Sequence, residues 1–312
     1  MKLCDMHCDT LTELFGHGYS LSDSPLHISL EKAASYANYI QLAAVWTDCA
    51  LSNDEGYRRF FDVIKYFEND PSVLSGKVRL VRTKDAFLAA EAGGAFPFIL
   101  GVEGARILNS DISRLDMLEA AGVRLMTLLW SGEDCIGGAY DTNSPLTDFG
   151  RTVVHELARR RIATDISHSC PKTASEALDI AIPNGGPVCA SHSNSYTVTP
   201  HPRNLSDELF IRIRDAGGVV GISLCPHHLK TDGNACIFDA VRHILHYLSL
   251  RGEDTVCLGC DYDGIETTPA GLENVGLLPC LKDALSAEGV DDGTIQNIFY
   301  KNARRFLEAI LA

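Results

Sequence analysis

Phe96-Pro97-Phe98-Ile99-Leu100-Gly101-Val102-Glu103 is the stretch on which the fold turns. Seven uncharged residues end in one carboxylate, and an ionised carboxylate beside so apolar a run is costly to bury without a cation or hydrogen-bond partners. The arrangement recurs along the chain. The run 1–6 leads into His7-Cys8-Asp9, 162–167 into His168, 187–191 into His192 and 256–260 into Asp261. Side chains this far apart share a site when parallel strands deliver them to one edge of a sheet. In a parallel β/α barrel that edge is the C-terminal face, where catalytic groups collect. The pattern predicts an α/β protein, a TIM-like (β/α)8 barrel with a metal site at the C-terminal ends of its strands.

The rest of the chain alternates in the same way. Strand-like runs at 39–46, 78–81, 123–129 and 218–224 join those already named. Helical stretches fall at 53–68, 84–91, 112–120, 148–159, 174–180, 207–216, 237–250, 271–285 and 291–311. In 53–68, Tyr57, Phe60, Phe61, Ile64 and Phe67 recur at three-and-four spacing, the mark of an amphipathic helix. Alternation favours a parallel sheet, and about eight units in this length favour a closed barrel. Nine strand candidates are one too many, so one early run is expected to be misassigned or to sit outside the ring. With no internal repeat, linker or low-complexity segment, 1–312 reads as one domain.

Composition narrows the function. Apolar residues at 46% and charged residues at 22% describe an ordinary soluble globular protein. A net charge of −14 argues against nucleic-acid binding, which needs a basic surface. No apolar stretch reaches membrane-spanning length, and residue 1 runs directly into the first strand with no room for a leader. Eleven cysteines, mostly inside apolar runs, pack as small hydrophobes in a reduced protein. The expectation is a cytoplasmic protein with no nucleic-acid or membrane partner; a homodimer is the assembly considered.

In an extended strand His7 and Asp9 point to one side, where an imidazole and a carboxylate at that spacing can grip one ion. With Glu103, His168 and His192 the donors are nitrogen and oxygen only, which suits zinc or a similar borderline ion. Five ligands overfill one catalytic zinc, so two divalent ions bridged by Glu103 account for them. A lone His at a strand end is ordinarily structural, and Asp261 to Asp263 with Gly264 also reads as a turn. Five strand ends acting by accident is the weaker account. Cys257 and Cys260 have the gap of a zinc or redox pair, but without a second pair packing is the better reading. His227-His228 reads as loop surface, and Gly101 to Gly104 lacks the Lys of a phosphate loop.

Taken together, Asp5-Met-His7-Cys-Asp9-Thr, Gly101-Val-Glu103-Gly-Ala, Asp165-Ile-Ser-His168, Ser191-His192-Ser-Asn-Ser-Tyr196 with Arg203-Asn204, and Gly259-Cys-Asp261-Tyr-Asp263-Gly264 resemble the renal (membrane) dipeptidase family of zinc metallopeptidases. The motifs fall in family order over essentially the whole chain. The resemblance implies a β/α barrel with two zincs, His7 and Asp9 on one, His168 and His192 on the other, and Glu103 across both. It makes Asp261 the catalytic acid/base and Arg203 the holder of the substrate's terminal carboxylate. It implies hydrolysis of dipeptides, often with a D-residue at the C-terminal position, through a hydroxide shared by the two zincs. Two positions depart from the family pattern. Trp130 stands where a His that contacts the scissile carbonyl is common, and Cys225 where a Tyr is common. Both are expected to contact substrate and to shift its range. Other readings are an amide or ester hydrolase of the same barrel class, acting on a lactone or cyclic amide, and a metal-binding homologue with little turnover.

Overall fold

The computed structural model describes residues 1–311. Its strands are β1 (Lys2–Cys8), β2 (Asn38–Trp46), β3 (Val78–Leu80), β4 (Phe96–Glu103), β5 (Val123–Thr127), β6 (Ala163–Asp165), β7 (Val188–Ala190), β8 (Val219–Ile222) and β9 (Val256–Leu258). Every pairing is parallel. The ring runs β1-β2-β4-β5-β6-β7-β8-β9 and closes where Asp5 of β1 meets Leu258 of β9. Strand β2 lies along β4 from Gln41–Phe98 to Trp46–Glu103, so β3 is left out of the ring. It pairs only Val78–Leu80 with Phe96–Phe98. The surplus strand is this three-residue run, and the ring is the eight-stranded barrel expected.

Two buried clusters carry the fold. One lies between strands and surrounding helices. The other takes a side chain from every ring strand: Met6, Leu42, Ile99, Leu125, Ala163, Cys189, Val219 and Cys257. A cluster fed by all eight strands fills the lumen. Phe306, Leu307 and Ile310 of the helix Asn302–Ile310 belong to it, which places that helix as a plug at the N-terminal end of the barrel. At the other end, a Cβ on Gly221 or Gly259 would run into the Ser191 carbonyl oxygen. Only glycine lets β8 and β9 approach the chain leaving β7 this closely.

Several bounds differ from those read off the sequence. The helix Asn53–Glu68 matches, fixed by a capping box between Ser52 and Glu55. The stretch 271–285 becomes helical only at Leu278, after a 3-10 turn at Val275–Leu277, because Pro279 suits a helix start rather than its interior. The stretch 291–311 is interrupted by a π-helical turn at Asn297–Lys301. The helix Thr10–His17 was not anticipated, being too short to show a period.

One polar cluster ties the plug to the wall. Glu91, on the helix Lys84–Ala92, accepts from Asn38 Nδ2 at 2.8 Å, Tyr300 OH at 2.5 Å and Arg304 Nη2 at 2.7 Å. Burial raises the carboxyl's pKa, but the Arg304 pair and these donors outweigh it and hold it below the ordinary value. We expect Glu91→Ala to lower unfolding free energy by about 2–3 kcal/mol at neutral pH, the range for charge-assisted hydrogen bonds. Because the folded-state pKa is depressed, this contribution is lost as pH falls through it. Thermal melts of both forms should differ at pH 7 and converge in acid; equal melts at pH 7 would refute the role.

Candidate metal centre

The six candidate residues meet at the C-terminal mouth of the barrel. Glu103 is the last residue of β4, and its Oε1 lies 2.9 Å from His168 Nε2, 3.3 Å from His192 Nε2 and 3.6 Å from His7 Nε2. His7 Nε2 is also 3.4 Å from Asp9 Oδ2 and 3.8 Å from Asp261 Oδ1. Asp9 is not extended beside His7 as the alternation argument supposed. Strand β1 has an irregular register between Asp5 and Cys8, and Asp9 (φ −100°, ψ 13°) already turns into the helix Thr10–His17. The two side chains converge through that turn, not through strand parity. His168 and Asp261 each lie three residues past a strand, with φ of 67° and 63°. Left-handed backbone at a non-glycine residue is strained, and here it aims both side chains back over the mouth.

Buried carboxylates inside the barrel orient these groups. Asp165 accepts from Ser167 N and Ser191 N on one oxygen, and from Thr127 Oγ1 and Ser191 Oγ on the other. Since Ser191 Oγ donates to Asp165, it accepts from His192 Nδ1 at 2.7 Å. His168 Nδ1 donates to the Trp130 carbonyl at 2.8 Å. Both histidines therefore turn an unprotonated Nε2 toward Glu103, the tautomer a metal ligand needs. Asp5 accepts from His7 N and Cys260 N and so ties β1 to the turn that bears Asp261. A Cβ on Gly264 would collide with the Asp9 and Asp261 carboxylates. The supporting roles of Asp5 and Asp165 were missed, although each lies inside a motif quoted from the sequence; its one signal is a carboxylate within an apolar run.

The charge balance calls for a cation. His168 Nε2 and His192 Nε2 are 2.9 Å apart, two lone pairs that cannot bond each other. His7 Nε2 and Asp9 Oδ1 are buried without any hydrogen-bond partner. Burial and the Glu103 charge push Asp9 up to about 8, and burial with the same charge pushes Asp261 up to about 6. Three carboxylates this close resist ionising together unless positive charge sits among them. Ligand atoms of His7, Glu103 and His192 lie within 4.8 Å of one another, as do those of His7, Asp9 and Asp261. The donor set fits divalent metal, and Asp261 is as near to His7 and Asp9 as a ligand would be.

Next to the cluster, Arg203 is buried, with Nη1 on Ser193 Oγ at 3.2 Å, Nη2 on the His192 carbonyl at 3.1 Å and Nε unpartnered. Trp130 lies three residues past β5, its ring 5.0 Å from Trp46 and 6.4 Å from His168. Cys225 is half-buried, and burial with the Asp261 charge pushes its thiol up to about 11, so it stays protonated at neutral pH. The surface reading of His227-His228 holds for His227 only. His228 is half-buried, its ring 4.9 Å from His201, and burial and the Arg203 charge push its pKa down.

An eight-stranded β/α barrel with an imidazole–carboxylate cluster at its mouth defines a class of metal-dependent hydrolases. Comparison narrows the class. The profile of the membrane dipeptidase family (peptidase family M19) matches residues 1–311. An uncharacterized protein from the pqqA 5′ region of Klebsiella pneumoniae is 31% identical over 248 residues, 76% of this chain and 90% of that one. An uncharacterized dipeptidase of Schizosaccharomyces pombe is 34% identical over 207 residues, 63% of this chain, which spans only 49% of that protein's length. A Rhodobacter sphaeroides metallopeptidase, solved with a phosphinate mimic of the dipeptide L-Ala-D-Ala, shares the fold with a TM-score of 0.88, at 24% identity over 100% of this chain and 98% of that one. The chain belongs to the membrane dipeptidase family.

Metal analysis tests the donor count. Protein reconstituted with zinc should hold two ions per chain, and a ceiling of one at saturation would contradict the shared site. Glu103→Gln should lose at least one ion, because a neutral amide cannot balance two cations.

Proposed function

We propose that this protein is a two-metal dipeptidase, hydrolysing dipeptides, including those with a D-residue at the C-terminal position. The observation that carries the reading is Glu103, buried with its Oε1 2.9–3.6 Å from three imidazole nitrogens, together with a buried Arg203 whose Nε has no hydrogen-bond partner. His7 and Asp9 would hold one ion and His168 and His192 the other, with Glu103 between them; we take both as zinc. Bound there, they would polarise the peptide carbonyl and supply a water acidic near neutral pH.

The chain's own residues do the rest. Asp261, anchored by Ser223 Oγ at 3.4 Å, accepts the proton from the attacking water and returns it to the departing amine. Arg203 offers a rigid fork to the terminal carboxylate. Its contact with the His192 carbonyl sets that carboxylate beside the metal centre, which limits substrates to short peptides. Trp130 and Trp46 form an aromatic wall at the same mouth, and Cys225 adds an uncharged thiol near Asp261 and Arg203. The cysteines are all free, which supports a reducing, cytoplasmic setting. No helix among the described residues is long and apolar enough to cross a membrane.

Asp261→Asn should lower kcat on a good dipeptide about a hundredfold or more, the scale of general acid–base catalysis, with KM little changed. Unchanged turnover would remove Asp261 from proton transfer. Free-acid dipeptides should be cleaved well and their C-terminal amides poorly, and Arg203→Ala should erase that difference by raising KM for the acids. Equal rates on acids and amides in the native protein would give Arg203 another task.

A further inference from the structure

The helix Ile237–Ser249 carries an imidazole that neither the metal centre nor the proposed mechanism uses. His243 is 0% exposed, as His7 and His192 are, but its partners lie elsewhere. Ser195 N donates to its Nδ1 at 3.0 Å, and the Leu229 carbonyl stands 3.0 Å from its Nε2. The first bond fixes the tautomer. An N–H must meet a lone pair, so Nδ1 is unprotonated and Nε2 carries the hydrogen that the Leu229 carbonyl accepts. Burial pushes the ring down to about 4, so at neutral pH it holds the uncharged form that this pairing requires. Each ring nitrogen is thus spent on main chain, in two different segments.

Those segments flank the metal centre. Ser195 lies between β7 and Arg203, in a loop closed where Leu205 N donates to the Asn194 carbonyl at 2.8 Å and its carbonyl accepts from Tyr196 N at 2.9 Å. Leu229 ends the short helix Pro226–Leu229, which follows Cys225. Thr199 Oγ1 donates to the same Leu229 carbonyl at 2.8 Å, and Asn204 Nδ2 to the His228 carbonyl at 2.8 Å. One turn beyond His243, Tyr247 OH donates to the Ser193 carbonyl at 3.4 Å, so the helix grips the loop at two points. The Arg203 side chain bonds only to Ser193 and His192 of its own loop, and the guanidinium therefore goes where that loop goes.

We propose that His243 is a positioning residue for Arg203, locking the loop that bears the guanidinium to the turn after β8 from a buried place on the supporting helix. Its effect on turnover rests on the dipeptidase reading; its hold on the loop does not. A residue needed only for bulk would not require two aimed nitrogens, since leucine would fill the same space. Without the imidazole, Ser195 N is left buried and without an acceptor, a cost the loop relieves by moving toward water.

The test uses the whole chain, metal-reconstituted, with four substitutions at 243. Asn keeps an acceptor near the place of Nδ1, Gln a donor near that of Nε2, and Leu or Ala neither. Hydrogen exchange needs no substrate. In His243→Ala, peptides covering 193–205 should exchange about tenfold faster, the scale of one lost buried hydrogen bond, while those of β1 and β4 keep their native rates. On free-acid dipeptides His243→Ala should raise KM about tenfold with kcat and metal content little changed, shrinking the preference for acids over amides. His243→Leu should behave like His243→Ala, and His243→Asn should recover most of both effects. Native exchange across 193–205 in folded His243→Ala or His243→Leu, or native KM in His243→Leu, would overturn the assignment and leave the dipeptidase reading intact. If His243→Ala does not fold, the contrast between His243→Asn and His243→Gln decides, since only the former keeps the bond to Ser195. A native protein that cleaves no dipeptide would overturn that reading instead, and exchange would still decide whether His243 holds the loop.

Discussion

The burial of Glu103 among three imidazoles is the constraint around which the rest is arranged. A carboxylate at 3% exposure has little water to stabilise it, so neighbouring groups must do so. The fold brings His7, His168 and His192 to it from three different strand ends, and then adds Asp9 and Asp261, which only sharpens the need for positive charge. A purely structural ion pair would not gather three carboxylates beside His168 and His192, which turn lone pairs toward Glu103. The imbalance becomes intelligible once the cluster is read as a set of donors for divalent metal.

Holding such a set steady calls for rigidity below it and aimed backbone above it. The lumen is filled from all eight ring strands and plugged by Phe306, Leu307 and Ile310, so the strand ends cannot shift independently. Asp5 and Asp165 sit one layer under the ligands and bind the backbone amides of neighbouring turns. These carboxylates act on the cluster by orienting the turns that carry it.

The barrel was legible because its evidence is periodic: apolar runs spaced by helices, each ending in a metal-capable side chain. The residues gathered at the mouth were legible for the same reason. The geometry of Asp9 was not, because strand parity says nothing of a register irregularity between Asp5 and Cys8. Nor was the placement of His168 and Asp261 in left-handed turns, since neither is a residue type that advertises positive φ as glycine does. His228 was read as surface because a short helix after a strand has no period to show which of two adjacent histidines turns inward. The exclusion of β3 from the ring depended on which strand β4 pairs along its length, a choice made by tertiary packing.

The contact between His168 and residue 130 runs through the main chain: it is the Trp130 carbonyl, not the indole, that fixes the imidazole. Any amino acid at 130 carries that carbonyl. A different side chain at 130 would therefore leave the acceptor for His168 Nδ1 in place. The aromatic surface beside the cluster and the orientation of the imidazole are thus set separately at this one residue, the first by the side chain and the second by the main chain.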